Sequence, residues 1–318
     1  MEWYNRYVDK LTVVFAEAQQ RIAAYPAPLN EWGLKYAAKF DPVNTEGGKD
    51  YICSLLPFWV QNLSGISDEQ SKRLALANVY GMLYYFIQDD VMDDDPAARV
   101  KESLALGNLL LLDMLAVWRS LFPADSPFWG YYEQYAATWA DSVINEASAN
   151  YFVHDPLRTA GKAGPVKSAS TGALLLTGRD AFIPELEQAV DIALMTLQMS
   201  DDWTDWKVDL AEGSYNGLIA MLAASSSRPA DAPITEQLIE TAIYVRGCMS
   251  QFAEIAAASH DRLLSLSISS SISELVDFHS FLVKQLQQTA ASIDTNRKRL
   301  LQGGFSYFLD GAAVAGEQ

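Results

Sequence analysis

The chain has 318 residues, half of them hydrophobic, and a formal net charge of -17. That acidity excludes nucleic acid as a partner, because no basic face could outweigh it, and it disfavours anionic membrane surfaces. No run of about 18 or more uninterrupted apolar residues occurs, so no integral membrane segment is expected.

The opening residues, Met1-Glu2-Trp3-Tyr4-Asn5-Arg6, lack a basic-then-apolar leader pattern. Cys53 and Cys248 are far apart and suit a reduced compartment, so a cytoplasmic location is expected. Residues 1–25 carry Trp3, Tyr7, Leu11, Val14 and Phe15 near helical spacing, and Pro26 and Pro28 end that helix. Asn30 is placed to cap the next helix, with Trp32, Leu34 and Tyr36. A loop over 41–49 precedes a dense apolar helix through Ile52, Leu55, Leu56, Phe58, Trp59 and Val60. Ser67-Asp68-Glu69-Gln70 reads as the cap of a helix that runs to Pro96.

Further helices are predicted from Val100 to Leu121 and over 127–153, the second rich in aromatic residues. Arg158 to Pro165 reads as loop or broken helix, because Gly161, Gly164 and Pro165 are poor helix residues. A helix restarts near Val166 and ends at Gly178, and Phe182-Ile183-Pro184-Glu185 opens the next one. Pro229 and Pro233 mark a surface loop, and long helices follow over 234–262 and 271–301. The tail is expected to be loose after Leu309. No β-alternation, internal repeat or change of composition marks a second domain. The expectation is a single all-α bundle of roughly ten helices over residues 1–318.

Two acidic clusters dominate this pattern. Tyr84 to Ile87 read as an apolar, aromatic helix face, and Asp89, Asp90, Asp93, Asp94 and Asp95 follow directly. Gln198 and Met199 similarly lead into Asp201, Asp202, Asp205 and Asp209. Asp201, Asp205 and Asp209 stand at i, i+4 and i+8, on one helix face. Like charges so placed destabilise a bare helix. Hard oxygen ligands that reach Mg²⁺, with a substrate phosphate completing the shell, account for their tolerance. Other chemistries lack their residues. His154, His260 and His279 have no metal-ligand spacing, and no phosphate loop, dinucleotide fingerprint or nucleophile elbow is present.

The stretch Phe86-Ile87-Gln88-Asp89-Asp90-Val91-Met92-Asp93 resembles the first aspartate-rich motif of the trans-isoprenyl diphosphate synthases. Leu197-Gln198-Met199-Ser200-Asp201-Asp202-Trp203-Thr204-Asp205 resembles their second, including its leading Gln. Gly47-Gly48-Lys49 and Val166-Lys167-Ser168-Ala169-Ser170-Thr171-Gly172 are similar to two further motifs, in the family's order between residues 47 and 209. The resemblance implies the isoprenoid synthase (class I terpene synthase) fold with a central active-site cavity. It also implies a prenyl diphosphate substrate, three Mg²⁺ ions for which Mn²⁺ can substitute, and a homodimer.

The departures narrow the implied activity. Elongating synthases carry arginines after Gly-Gly-Lys and an Arg pair after the first motif, to hold a second diphosphate. Here Asp50, Tyr51 and Ile52 follow Lys49, and Pro96-Ala97-Ala98-Arg99 follows Asp95. Neutral side chains do not replace bidentate guanidinium contacts. The implied enzyme is therefore a terpene cyclase acting on one allylic diphosphate. The alternatives are a chain-elongating prenyltransferase and, outside catalysis, a partner subunit on the same fold.

The resemblance assigns Asp89, Asp90, Asp93, Asp201 and Asp205 to ionisation, with Asp94, Asp202 and Asp209 as further metal ligands. Lys167 matches the diphosphate-binding lysine, and Gln198, Lys207 and Arg158 join it as substrate contacts. Arg297 lies in Asn296-Arg297-Lys298-Arg299, near where cyclases carry an Arg-Tyr pair. On a regular helix Tyr84 and Tyr85, one turn before Asp89, face the cavity floor that the resemblance implies; bulky residues there limit chain depth in the resembling synthases, which implies a farnesyl chain in preference to a geranylgeranyl one.

Overall fold

A computed structural model describes residues 1–41, 43, 51–93, 99–146, 151–225 and 233–314, with the side chains of 93, 225 and 302–314 excepted. Gly47-Gly48-Lys49, Asp94, Asp95 and Pro96 lie outside the described residues, as does the side chain of Tyr307. The described residues form helices and turns, with no strand among them.

In chain order the α-helices are α1 (Glu2–Asn5), α2 (Val8–Ala23), α3 (Leu29–Lys39), α4 (Tyr51–Trp59), α5 (Gln61–Ser64), α6 (Asp68–Asp93), α7 (Val100–Leu121), α8 (Phe128–Ile144), α9 (Tyr151–His154), α10 (Lys167–Leu175), α11 (Ile183–Glu212), α12 (Gly217–Ser225), α13 (Glu236–Glu240), α14 (Cys248–Leu264) and α15 (Ser273–Val314). Contacts group them into two compact units. The first holds Met1–Asp141, Gly161–Asp191 and Leu266–Asp277; the second holds Ser142–Ala160, Ile192–Ser265 and Phe278–Gln318.

The first unit is built around α6, which contacts α2, α4, α7 and α10. Leu74, Ala75, Leu76, Ala77, Val79 and Leu83 are buried on nearly every side, as a helix apolar all round must be. Its start is the predicted capping box. The Gln70 amide donates to Ser67 Oγ at 3.2 Å, and the Ser67 amide donates to Gln70 Oε1 at 2.9 Å. α7 is the one described helix long and apolar enough to cross a membrane. Its packed face carries Asp113, buried and held by Arg21 at 2.9 Å and by the Tyr25 hydroxyl at 2.7 Å.

The second unit has its own apolar core, including Phe152, Met195, Met199, Trp206, Leu218, Phe252 and Leu286. The helix predicted over 234–262 is broken here. Thr235 caps α13 by accepting from the Leu238 amide, a π-helical turn spans Thr241–Val245, and α14 begins after Gly247. Gly247 sits at φ +75°, a left-handed conformation that other residues adopt only at a cost.

Other boundaries also differ from expectation. The first helix divides at Arg6-Tyr7 into α1 and α2. α3 starts at Leu29 with Pro28 in the cap position, so Asn30 lies inside its first turn and does not cap it. The aromatic helix predicted to 153 ends at Ile144, and α9 resumes at Tyr151. Residues Pro156–Val166 form 3-10 turns with a kink at Ala163, as the glycines and Pro165 predict. The backbone of α15 continues to Val314, beyond the expected loose tail, because helix-compatible residues follow Gly303-Gly304.

Candidate functional site

In the first unit the acidic end of α6 carries Asp89, half-buried, and Asp90, exposed. The Tyr36 hydroxyl donates to Asp90 Oδ2 at 2.9 Å, so α3 fixes the orientation of this carboxylate. Helical spacing puts Asp93 on the same face as Asp89, one turn later.

Behind the acids, aromatic rings gather between α6 and α8. Tyr84 and Tyr85 pack edge to face at 4.9 Å, and Tyr85 meets Trp139 at 4.8 Å. Burial is the first cause that raises the phenol pKa of Tyr84, Tyr85 and Tyr132, with Tyr132 a further raising influence on Tyr85. All three nevertheless keep part of their surface accessible.

Lys167 opens α10 and is buried. Its ammonium is 2.8 Å from Asp191 Oδ1 and lies over the ring of Tyr135, 5.1 Å from the centroid. Tyr135 is itself fixed: its hydroxyl is 2.6 Å from Thr171 Oγ1 and donates to Glu187. Lys167 is thus held by a carboxylate of its own unit. Thr171 lies in the motif read from the sequence, whereas Asp191, Tyr135 and Glu187 are site residues that sequence reasoning missed. Single acids and hydroxyls among apolar helix positions carry no motif signal; only the fold brings them to Lys167.

In the second unit the four aspartates of the α11 cluster separate into two kinds. Asp201 and Asp205 are exposed, one helical turn apart. Asp202 is buried, with 3% of its surface exposed. Its Oδ2 accepts from the Gly217 amide at 2.9 Å and its Oδ1 accepts from Gln198 Nε2 at 3.0 Å. Asn216 Nδ2 donates both to the Asp202 carbonyl at 2.8 Å and to Asp209 Oδ2 at 2.7 Å. Asp202 therefore anchors the start of α12, Asp209 shares that anchor through Asn216, and Gln198 is oriented by Asp202. A Cβ on Gly217 would lie 2.7 Å from Asp202 Oδ2 and 2.8 Å from the Phe152 ring, so only glycine fits.

The remaining predicted cations are engaged elsewhere in this unit. Lys207 pairs with Glu236 at 2.6 Å and Glu240 at 2.8 Å. Arg297 pairs with Asp294 and donates to the Val245 carbonyl at 3.3 Å, closing the π-helical turn. Arg158 is exposed, its guanidinium stacked 4.1 Å from the Tyr151 ring centroid.

Among the described residues no three His, Cys, Asp or Glu side chains gather closely enough to hold a metal ion; the Asp93 side chain is outside that set. The donor chemistry of both acidic ends fits Mg²⁺. Each carries several carboxylates, and a hard cation prefers oxygen to nitrogen or sulfur.

No protein-family model and no curated protein sequence matches the chain. In structure it is similar to the geranylgeranyl pyrophosphate synthase from Lactobacillus brevis ATCC 367. The TM-score is 0.64 at 15% sequence identity, over 88% of this chain and 97% of that one. The chain has the all-α isoprenoid synthase fold.

Proposed function

We propose that this protein is a Mg²⁺-dependent class I terpene cyclase that ionises a prenyl diphosphate, farnesyl diphosphate in preference to geranylgeranyl diphosphate. The observation that carries this reading is the pair of carboxylate-bearing helix ends on α6 and α11, on a fold shared with a prenyl diphosphate enzyme. The ligands assigned to Mg²⁺ are Asp89, Asp90 and Asp93 on α6 and, separately, Asp201 and Asp205 on α11. Bound Mg²⁺ supplies Lewis-acid stabilisation of the charge that develops on a leaving diphosphate.

The chain's own residues do the rest. Tyr36 orients Asp90 through its hydroxyl. Asp202 holds Gln198 and fixes α12 against α11. The rings of Tyr84, Tyr85, Tyr132 and Trp139 exclude water and offer π faces to a carbocation. With Lys167 neutralised by Asp191, and Lys207 and Arg297 paired with acids, no second cationic diphosphate site is assigned.

A second reading, elongation of an allylic diphosphate with isopentenyl diphosphate, is favoured by one observation: the structural neighbour is itself named a geranylgeranyl pyrophosphate synthase. Against it stand Asp50, Tyr51 and Ile52 after Gly-Gly-Lys. The purified chain is incubated with Mg²⁺ and geranyl, farnesyl or geranylgeranyl diphosphate, with and without isopentenyl diphosphate. Diphosphate release and hydrocarbon product from the allylic substrate alone are expected. Consumption only when both substrates are present would replace the cyclase reading with elongation.

A further inference from the structure

Within the first unit the acidic end of α6 is joined to α3 at two places, and the two share one register. The Tyr36 hydroxyl donates to Asp90 Oδ2 at 2.9 Å. Phe40, the residue that closes α3, meets the Phe86 ring at 5.0 Å between centroids. Tyr36 and Phe40 stand at i and i+4, and so do Phe86 and Asp90, so each pair lies on one face of its helix. The rings of Tyr36 and Phe40 are themselves in contact, with centroids 5.3 Å apart. The hydrogen bond therefore does not stand alone. A packed aromatic contact one turn away holds the same two faces opposite each other.

The α3 side of this junction has little room to shift. Gly33, one turn before Tyr36, comes so close to α2 and α7 that a Cβ there would lie 2.7 Å from Ile22 Cγ2 and 3.0 Å from Leu106 Cδ1. Tyr36 is buried, whereas Asp90 is exposed. A buried phenol needs a partner for its hydroxyl. An exposed carboxylate does not need this donor, because water serves it equally well. What Asp90 gains is a fixed orientation before any cation arrives. A ligand held in advance has less rotamer freedom to lose on binding.

We propose that Tyr36 is the positioning residue that sets the affinity of the α6 helix end for its divalent ion, acting through Asp90. This rests on the assignment of Asp90 as a Mg²⁺ ligand in the proposed function. Partners that hydrogen-bond a ligating carboxylate change metal affinity by about 10–100-fold when they are removed.

The test reads the metal directly. Mn²⁺, which takes the same oxygen ligands, is titrated into the full chain in the presence of inorganic diphosphate. Free Mn²⁺ is followed by electron paramagnetic resonance against a protein-free diphosphate blank. Tyr36→Phe keeps the ring and removes only the hydroxyl. It is expected to weaken Mn²⁺ binding about tenfold or more. The Mg²⁺ concentration for half-maximal diphosphate release from farnesyl diphosphate should rise by a similar factor, with turnover at saturating Mg²⁺ largely retained. Phe40→Leu trims the neighbouring ring contact and leaves the hydroxyl in place, so it is expected to lower the melting temperature and to weaken Mn²⁺ binding less than Tyr36→Phe does. If circular dichroism shows Tyr36→Phe to be unfolded, Tyr36→Met, which also lacks the hydroxyl, is read in its place. Wild-type Mn²⁺ affinity in Tyr36→Phe overturns the proposal, as does an equal loss in Tyr36→Phe and Phe40→Leu. Absence of Mn²⁺ binding by the wild type beyond the blank overturns instead the metal assignment on which the proposal rests.

Discussion

Asp202 reaches from α11 to the first amide of α12, accepting from Gly217 at 2.9 Å, and this bond separates it in role from the acids on either side. A charged, buried acceptor at a helix N-terminus satisfies a backbone donor that would otherwise be orphaned.

The expected consequence is structural. Asp202→Ala removes the hydrogen bonds from Gln198 and Gly217 at a buried site and should cost about 2–4 kcal/mol of stability. Gly217→Ala, which forces a methyl into Asp202 and Phe152, should cost about 1–3 kcal/mol. Thermal or urea unfolding followed by circular dichroism measures both. A melting curve unchanged in either variant would contradict the anchoring role.

Asp89 and Asp90 are half-buried and exposed, so their loss should leave the core intact. The Asp89→Ala/Asp90→Ala double variant is expected to keep its far-ultraviolet spectrum and lose about a thousandfold or more of diphosphate release. Undiminished turnover would remove the functional reading of this helix end.

Chelation should give the same loss reversibly. Treatment with EDTA is expected to abolish diphosphate release, Mg²⁺ to restore it, and Mn²⁺ to restore it in part, since both prefer oxygen ligands. Release that continues through chelation would show that the carboxylates hold no required metal.

The pH dependence of stability is expected to centre on His260 and His279. The rings stack, with their Nδ1 atoms 2.8 Å apart, and His279 Nε2 is 2.8 Å from Thr196 Oγ1. Burial first, and the neighbouring His260 second, push the His279 pKa down to about 3. Burial also lowers His260, opposed by Asp261 and assisted by Lys284. Both folded values lie below the unfolded one of about 6.5, so the unfolded chain binds more protons in acid. This contribution is complete above the unfolded pKa and is lost as pH falls from about 6.5 toward 3, at up to about 1.4 kcal/mol per pH unit for one proton. Urea titrations between pH 7 and 4.5 should show the decline, and His279→Gln should reduce its slope. An equal slope in that variant would assign the decline to other groups.

How much was legible depends on the range of the interaction. The Ser67–Gln70 capping box needs four consecutive residues, and it appears as read. The break at Gly247 was missed, because a glycine in an apolar helical pattern shows its left-handed conformation only when the packing demands it. The acidic runs were visible as runs. Their division into exposed Asp201 and Asp205 and buried Asp202 was not, because Asp202 finds its donors at Gln198 and at Gly217, which lies beyond the end of the helix.

The cations illustrate the same limit. Lys167, Lys207 and Arg297 each stand where a diphosphate contact was expected; Arg297 meets Asp294 three residues away on its own helix, whereas Lys167 and Lys207 are committed to acids that no local pattern pairs with them. A charge on its own attracts any anion, and which anion it meets depends on distance, which sequence separation does not report.

The order of residues by itself determined the all-α class, the Ser67–Gln70 cap and the two carboxylate-rich helix segments, because these depend on spacing along one helix. Tertiary structure alone decided which carboxylates are spent on backbone amides, which lysine is neutralised, and that Asp191 stands beside Lys167. Those facts rest on burial and on contacts between residues distant in the chain, where desolvation makes each hydrogen bond and each charge count for more than it does in water.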